Sequence, residues 1–137
     1  MLFRSSLTYK TNDMDRGITL IFAEPVAALL SDLETFLSQN GYQSIHARSL
    51  EETLLTLQNQ KIDALVLDAA LLKEDFGFIP VIKGIERKLP IIICSASNTP
   101  ELETKIRKQG IFYYHIKSFG VQDLEMAISN AVRGLPT

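Results

Sequence analysis

The chain has 137 residues, of which 46% are hydrophobic and 22% are charged, so it holds enough apolar material for the core of one ordinary domain. Fourteen basic against sixteen acidic residues give a formal net charge of −2, and no segment concentrates the basic ones, which argues against nucleic acid as a partner of this domain. The single cysteine excludes an internal disulfide and a cysteine-based zinc site.

The two ends of the chain differ from the middle. Residues 1–16 are polar and lack the apolar stretch of a signal peptide, so we interpret them as a flexible leader. Residues 17–134 form the predicted domain, and residues 135–137 read as a tail or the start of a linker. No apolar run approaches the roughly 18 residues of a spanning helix. We therefore expect a cytoplasmic protein with no membrane partner, and the lone Cys94 fits a reducing compartment.

Short apolar segments rich in β-branched or aromatic residues recur along the chain and predict strands. The third and fourth are almost wholly apolar, as expected of central strands that are buried on both faces. The five predicted strands are Ile18–Ala23, Gln43–Ala47, Ala64–Leu67, Ile91–Cys94 and Phe112–Ile116.

Between and after these strands, apolar residues recur at spacings of three and four, which is typical of helices that bury one face. The predicted faces are Val26, Leu29, Leu30, Leu33, Phe36 and Leu37; then Leu50, Leu54 and Leu57; then Ile79, Ile82 and Ile85; then Leu102 and Ile106; and last Val121, Leu124, Ile128 and Ala131.

Local signals agree with these helices. The segment Ser49-Leu-Glu-Glu52 has the spacing of a capping box, in which two side chains satisfy the first amides of a helix. Thr99 followed by Pro100 reads as an N-cap and a first helical residue. Gly41 and Gly110 lie where a helix must reverse into the next strand.

The chain thus alternates strand and helix five times. This order predicts an α/β fold with a five-stranded parallel sheet covered on both faces, a doubly wound (βα)5 domain of the flavodoxin-like kind with strand order 2-1-3-4-5. Ligands of such sheets bind beyond the carboxyl ends of the strands. Function is therefore expected at Glu24, Asp68, Ser95 and Lys117.

Three of these residues carry a consistent chemistry. Asp68 directly follows a buried strand, and a rigidly held carboxylate can attack phosphorus to give an aspartyl phosphate. Lys117 can place a positive charge on phosphate oxygens, and a divalent metal held by carboxylates can place more. The hydroxyl of Ser95 can bond to a new phosphoryl oxygen.

At these positions the sequence resembles the receiver domains of response regulators (CheY-like domains) over about residues 17–134. The segment Leu89-Pro-Ile-Ile-Ile-Cys-Ser-Ala96 looks like the fourth strand of that family with its Ser/Thr-Ala ending. The segment Gly110-Ile-Phe-Tyr-Tyr-His-Ile-Lys-Ser-Phe119 looks like the fifth, with its aromatic residue and its lysine. Matched in this way, Asp68 is the phospho-acceptor, Lys117 the phosphate-contacting lysine, Ser95 the hydroxyl and Tyr114 the switch aromatic.

The resemblance implies a two-component signalling protein and not an enzyme. A sensor histidine kinase or a phosphotransfer protein would donate a phosphoryl group to Asp68 with Mg²⁺ held by Glu24 and Asp68. Ser95 and Tyr114 would then move and alter the surface of the fourth helix, fifth strand and fifth helix. That surface also allows a homodimer.

Three departures from the family concern the chemistry. The family carries two adjacent acids after its first strand, whereas this chain reads Leu20-Ile-Phe-Ala-Glu-Pro25. One alignment puts Phe22 and Ala23 at the two acids, and another puts Glu24 at the first and Pro25 at the second, so we expect a weakened magnesium site. The Lys-Pro of the family is Lys117-Ser118 here, and the loop after Asp68 lacks the usual Met-Pro.

Other interpretations remain open at this stage. The first is a pseudo-receiver, which keeps the fold as a binding or dimerisation module without phosphoryl chemistry. The second is a flavodoxin-like cofactor binder, which the loop Ala23-Glu-Pro-Val-Ala-Ala28 disfavours because it lacks the hydroxyl and glycine donors of a phosphate loop. In a purely structural interpretation, Asp68 and Lys117 form an ion pair without a chemical role, and Tyr114 is an aromatic residue that packs in its strand.

Overall fold

The computed structural model describes residues 17–73, 77–96 and 99–136. The strands are β1 (Ile18–Ala23), β2 (Tyr42–Ala47), β3 (Ala64–Asp68), β4 (Ile91–Ser95) and β5 (Tyr113–Ile116). The helices are α1 (Ala28–Asp32), α2 (Glu34–Gln39), α3 (Leu50–Asn59), α4 (Phe78–Ile85), α5 (Pro100–Arg107) and α6 (Gln122–Val132). Single 3₁₀ turns follow β3 (Ala69–Leu71) and β5 (Lys117–Phe119). The predicted leader, residues 1–16, lies outside the described residues, as do Thr137 and part of the loop after Asp68.

The five strands form one parallel sheet in the order β2-β1-β3-β4-β5, which confirms the predicted topology. Every residue of β3 and β4 is buried, as the apolar composition of these segments predicted. Because a parallel sheet carries helices on both faces, its central strands have no exposed face to fill with polar residues.

The two faces of the sheet support two core layers, and strand residues enter them alternately. One layer contains Ile21, Leu65 and Ile93 and packs against α3, α4 and α5. The other contains Phe22, Val66 and Ile92 and packs against α1, α2 and α6. This alternation decides which helices each strand-end side chain faces.

The local signals work as the sequence predicted. The hydroxyl of Ser49 accepts from the amide of Glu52, whose carboxylate accepts from the amide of Arg48. Thr99 accepts from the amide of Leu102, and Pro100 is the first residue of α5. The bonds to the amides of Glu52 and Leu102 satisfy groups that a helix start leaves without intrahelical partners, whereas Glu52 bonds the amide of the residue before the cap.

The first helix differs from the prediction. The periodicity from Val26 to Leu37 indicated one continuous helix, but the structure divides it into α1 and α2 at Leu33, whose ψ of 5° departs from the helical value. Leu33 itself is fully buried. Val26 was wrongly placed on the apolar face, because it precedes α1 and is 74% exposed. Spacing alone does not show where a helix begins.

Since all strands run in the same direction, their carboxyl ends meet at one edge, which we call the carboxyl edge. The register pairs Ala23 with Leu67, Asp68 with Cys94, and Ser95 with Ile116. Within the described part of the chain, no helix has both the length and the apolar character needed to cross a bilayer.

Candidate functional site

Asp68 is the last residue of β3 and is buried at the carboxyl edge, with 7% of its surface exposed. Its Oδ1 atom accepts from the amide of Ala70 at 2.9 Å, which caps the 3₁₀ turn that follows the strand. The turn therefore holds one carboxylate oxygen in place and leaves the other directed to a side-chain partner.

Lys117 supplies that partner. It follows β5, and its Nζ atom donates to Oδ2 of Asp68 at 2.7 Å. The lysine side chain remains about a third exposed, whereas the aspartate side chain is 9% exposed. The structure thus brings together a buried carboxylate and a cation that still reaches solvent.

Ser95 and Tyr114 lie on one face of the sheet, and Ser95 ends the strand next to the one that carries Asp68. Ser95 ends β4 and is buried, one residue beyond Cys94, the register partner of Asp68. Tyr114 is the register partner of Ile93, two residues before Ser95, so strand alternation places both side chains toward α3, α4 and α5. The Tyr114 ring is 4% exposed, and Cζ of Arg107 on α5 lies 5.8 Å from its centroid.

Glu24 is the residue after β1 and comes level with Asp68, because Ala23 pairs with Leu67. Its carboxylate is turned toward α1: Oε1 accepts from the amide of Leu29 and Oε2 from the amide of Leu30, both at 3.0 Å. The register thus places Glu24 at the carboxyl edge beside the strand end that carries Asp68. The sequence did not indicate that the carboxylate of Glu24 also accepts from the first amides of α1.

Cys94 lies under the charged groups. Burial raises the pKa of its thiol far above the ordinary value; the charge on Lys117 lowers it, while those on Asp68 and Glu24 raise it. Cys94 itself is fully buried, and its register partner on β3 is Asp68.

His115 is a residue that sequence analysis did not single out for this site. It is the register partner of Cys94, it is 2% exposed, and its Nε2 atom is buried without a hydrogen-bond partner in the described structure. Its pKa is lowered, first by burial and then by the charge of Lys117, while Asp123 and a hydrogen bond to the backbone of Gly120 act in the opposite direction. A histidine in an otherwise apolar strand was the available signal.

The geometry agrees with an independent comparison of the sequence. A profile described as "Response regulator receiver domain" matches residues 21–129, which include every residue of the site. This chain belongs to the response regulator receiver family. The receiver assignment made from the strand-end motifs is thus confirmed, and with it a place in two-component signalling.

Known relatives agree with the family and its fold. The receiver is 26% identical over 129 residues to a transcriptional regulatory protein, PdtaR, of Mycobacterium tuberculosis, a match that covers 92% of this chain and 63% of that protein. Among solved structures, a response regulator from Thermotoga maritima superposes with a TM-score of 0.77 at 20% identity, covering 85% of this chain and 98% of that one. A receiver domain from Clostridium thermocellum gives a TM-score of 0.70 at 25% identity, with coverage of 85% and 95%.

Receivers of this family carry Mg²⁺ at their acidic site, so the donor set of this chain can be tested against that ion. Of the acids in the described part of the chain, Glu24 and Asp68 are buried. Each of the four carboxylate oxygens already accepts a hydrogen bond, from the amides of Leu29, Leu30 and Ala70 and from the ammonium of Lys117. No cluster of three or more His, Cys, Asp or Glu side chains suited to a metal occurs among the described residues. The donor set therefore does not fit Mg²⁺.

Proposed function

We propose that this receiver accepts a phosphoryl group on Asp68 from the phosphohistidine of a sensor kinase or a phosphotransfer protein. The contact between Lys117 and Asp68 carries the proposal, because it joins a nucleophile and a cation at the edge where such sheets bind their ligands. Partial exposure of the lysine leaves a path for a phosphoryl group to reach the carboxylate.

The transfer needs one bond to form and one to break. A carboxylate oxygen of Asp68 attacks phosphorus, the O–P bond forms, and the P–N bond of phosphohistidine breaks. The electron pair of that bond passes to the ring nitrogen, and the histidine, protonated at its other nitrogen, leaves as neutral imidazole. Lys117 then moves from the carboxylate to a phosphoryl oxygen, because that group carries the larger negative charge.

Ser95 and Tyr114 provide the readout. The hydroxyl of Ser95 donates to a phosphoryl oxygen, which draws the end of β4 toward Asp68. Tyr114 on β5 lies on the same face of the sheet as Ser95, and its register partner on β4 is Ile93, two residues before Ser95. A movement of Ser95 therefore changes the space around the tyrosine ring. Since Arg107 of α5 covers the ring, a shift of Tyr114 alters the surface of α5, β5 and α6, which is the two-state element of the switch.

The test uses phosphoramidate, a small donor whose P–N bond resembles that of phosphohistidine. Intact mass should increase by one phosphoryl group in the unaltered receiver and in Asp63→Asn, but not in Asp68→Asn. Asp63 is a matched control because it precedes the same strand at the opposite edge, where it accepts from the amide of Thr19. Uptake that survives Asp68→Asn, or no uptake by any variant, would disprove the assignment.

A second function has an observation of its own in its favour. At most one of the two adjacent acids of the family is kept after β1, with Phe22 and Ala23 at their places in one alignment and Glu24 and Pro25 in the other, and the carboxylate of Glu24 is engaged by α1. Both features suit a pseudo-receiver that binds partners or a second copy without phosphoryl chemistry. Partner binding that is unchanged in Asp68→Asn, together with the absence of phosphoryl uptake, would establish this function instead.

The surface of α5, β5 and α6 is also the proposed contact of a homodimer. Met126 on α6 is 61% exposed and so presents an apolar side chain to a partner. Sedimentation equilibrium of the receiver and of Met126→Glu tests this: a dimer that the substitution dissociates supports the contact, and a dimer that persists rejects it.

A further inference from the structure

We infer that Glu24 is the cap of helix α1 and that the Asp68 site is built without resident Mg²⁺, with Lys117 as the cation that balances Asp68. The inference concerns the site of the proposed function and rests on that proposal only for the role of Asp68 as acceptor. It assigns Glu24 a structural task where the family has a metal ligand.

Glu24 is held from several directions at once. Its amide donates to the carbonyl of Ala47, and its carbonyl accepts from Nε2 of His46 at 2.8 Å. Its buried carboxylate accepts from the amides of Leu29 and Leu30. A metal at these oxygens would compete with two amides that have few other partners at the start of a helix.

The neighbouring position offers no replacement. Pro25 is exposed and has no side-chain donor or acceptor. Magnesium requires near-octahedral oxygen coordination and gives up its water reluctantly, so it depends on well-placed carboxylates. With position 25 apolar and Glu24 engaged, Asp68 is, among the residues that the structure describes at this edge, the acid whose charge meets a cationic side chain.

Lys117 already occupies the place of a counter-ion. Its ammonium lies 2.7 Å from Oδ2 of Asp68, and a divalent cation at that oxygen would repel it at short range. The ion pair therefore neutralises the carboxylate in the absence of a metal. This arrangement follows from the contacts of these residues and needs no further ligand.

The experiment is a titration of the ¹⁵N-labelled receiver with MgCl₂ alone, against NaCl of equal ionic strength, followed by amide shifts around Glu24 and Asp68. The unaltered protein should show no magnesium-specific shift across the millimolar range, whereas Pro25→Asp should show a saturable one. Saturable binding by the unaltered protein that is lost in Glu24→Gln would overturn the inference. If Pro25→Asp shows no magnesium-specific shift, the missing carboxylate at position 25 is not the reason why the site lacks Mg²⁺.

Hydrogen exchange tests the cap separately. Gln keeps one acceptor oxygen and replaces the other by a donor, so Glu24→Gln should speed amide exchange at Leu29 or Leu30 by about tenfold, as expected for a lost cap bond. Unchanged exchange at both amides would refute the capping role. Neither the magnesium titration nor the exchange measurement contains a phosphoryl donor. A failure of Asp68 to take up a phosphoryl group would therefore not change their outcome, and the two proposals can fail separately.

Discussion

Asp68 and Lys117, 49 residues apart in the chain, meet through a 2.7 Å contact between Oδ2 and Nζ, and their side chains are unequally exposed. The aspartate is buried at the end of a central strand, while the lysine remains about a third exposed after the edge strand β5. If the ion pair is broken, the lysine side chain can rotate into solvent, whereas the aspartate carboxylate stays buried. The two residues should therefore respond differently to substitution.

Removal of the cation should cost more than removal of the acid. Lys117→Met leaves a buried carboxylate that still accepts from the Ala70 amide but has lost its cation, and we expect the free energy of unfolding to fall by about 1–3 kcal/mol. Asp68→Asn keeps an acceptor for that amide and lets Lys117 turn outward, so its cost should stay below about 1 kcal/mol. Urea unfolding of both variants measures the difference. Equal losses, or a larger loss in Asp68→Asn, would contradict this account.

His115 should make stability depend on pH. Its pKa is lowered in the folded state mainly by burial, so below the ordinary value of 6.5 the unfolded chain binds a proton that the folded chain does not. Stability is then lost as the pH falls from about 6.5 toward the folded-state pKa. His115→Val removes this group and suits a buried strand. Urea unfolding at several pH values should show that the free energy of unfolding falls less in His115→Val than in the unaltered protein as the pH decreases. Equal pH dependence of the two proteins would exclude the effect.

Cys94 should be unreactive in the folded receiver. Its side chain has no exposed surface, and burial raises the pKa of its thiol, so both access and thiolate are lacking. We expect reaction with a disulfide reagent at pH 8 to be slower by about a thousandfold or more than in denaturant, because the domain must open first. The chain has one cysteine, so the absorbance change reports this residue alone. Rapid labelling of the folded protein would refute the prediction.

Two glycines should respond in opposite directions to alanine. Gly110 has a φ of +82°, and a Cβ there would lie 2.6 Å from Nζ of Lys83, which donates to the Gly110 carbonyl. Gly110→Ala should therefore lower the free energy of unfolding by about 1–2 kcal/mol. Gly84 lies within α4 with open space around its Cα, so Gly84→Ala should raise it by about 0.5–1 kcal/mol. Chemical denaturation measures both, and a stabilised Gly110→Ala would be the contrary result.

The sequence by itself determined the elements and their order. Strands follow from short β-branched runs, and the starts of α3 and α5 follow from Ser49 and Thr99, because such signals act over a few residues of backbone. Parallel strands then imply a common carboxyl edge, which is why Asp68, Ser95 and Lys117 could be assigned to one end of the sheet before any coordinate was known.

Only the tertiary structure decided how the side chains at that edge are used. The sequence offered Glu24 as a metal ligand, but its carboxylate meets the amides of α1. The periodicity placed Val26 in the core, yet it lies exposed before the helix. The isolated Nε2 of His115 likewise depends on neighbours from other segments. Distances of this kind are set by the packing of distant segments to within fractions of an ångström, and neither composition nor local spacing carries that information.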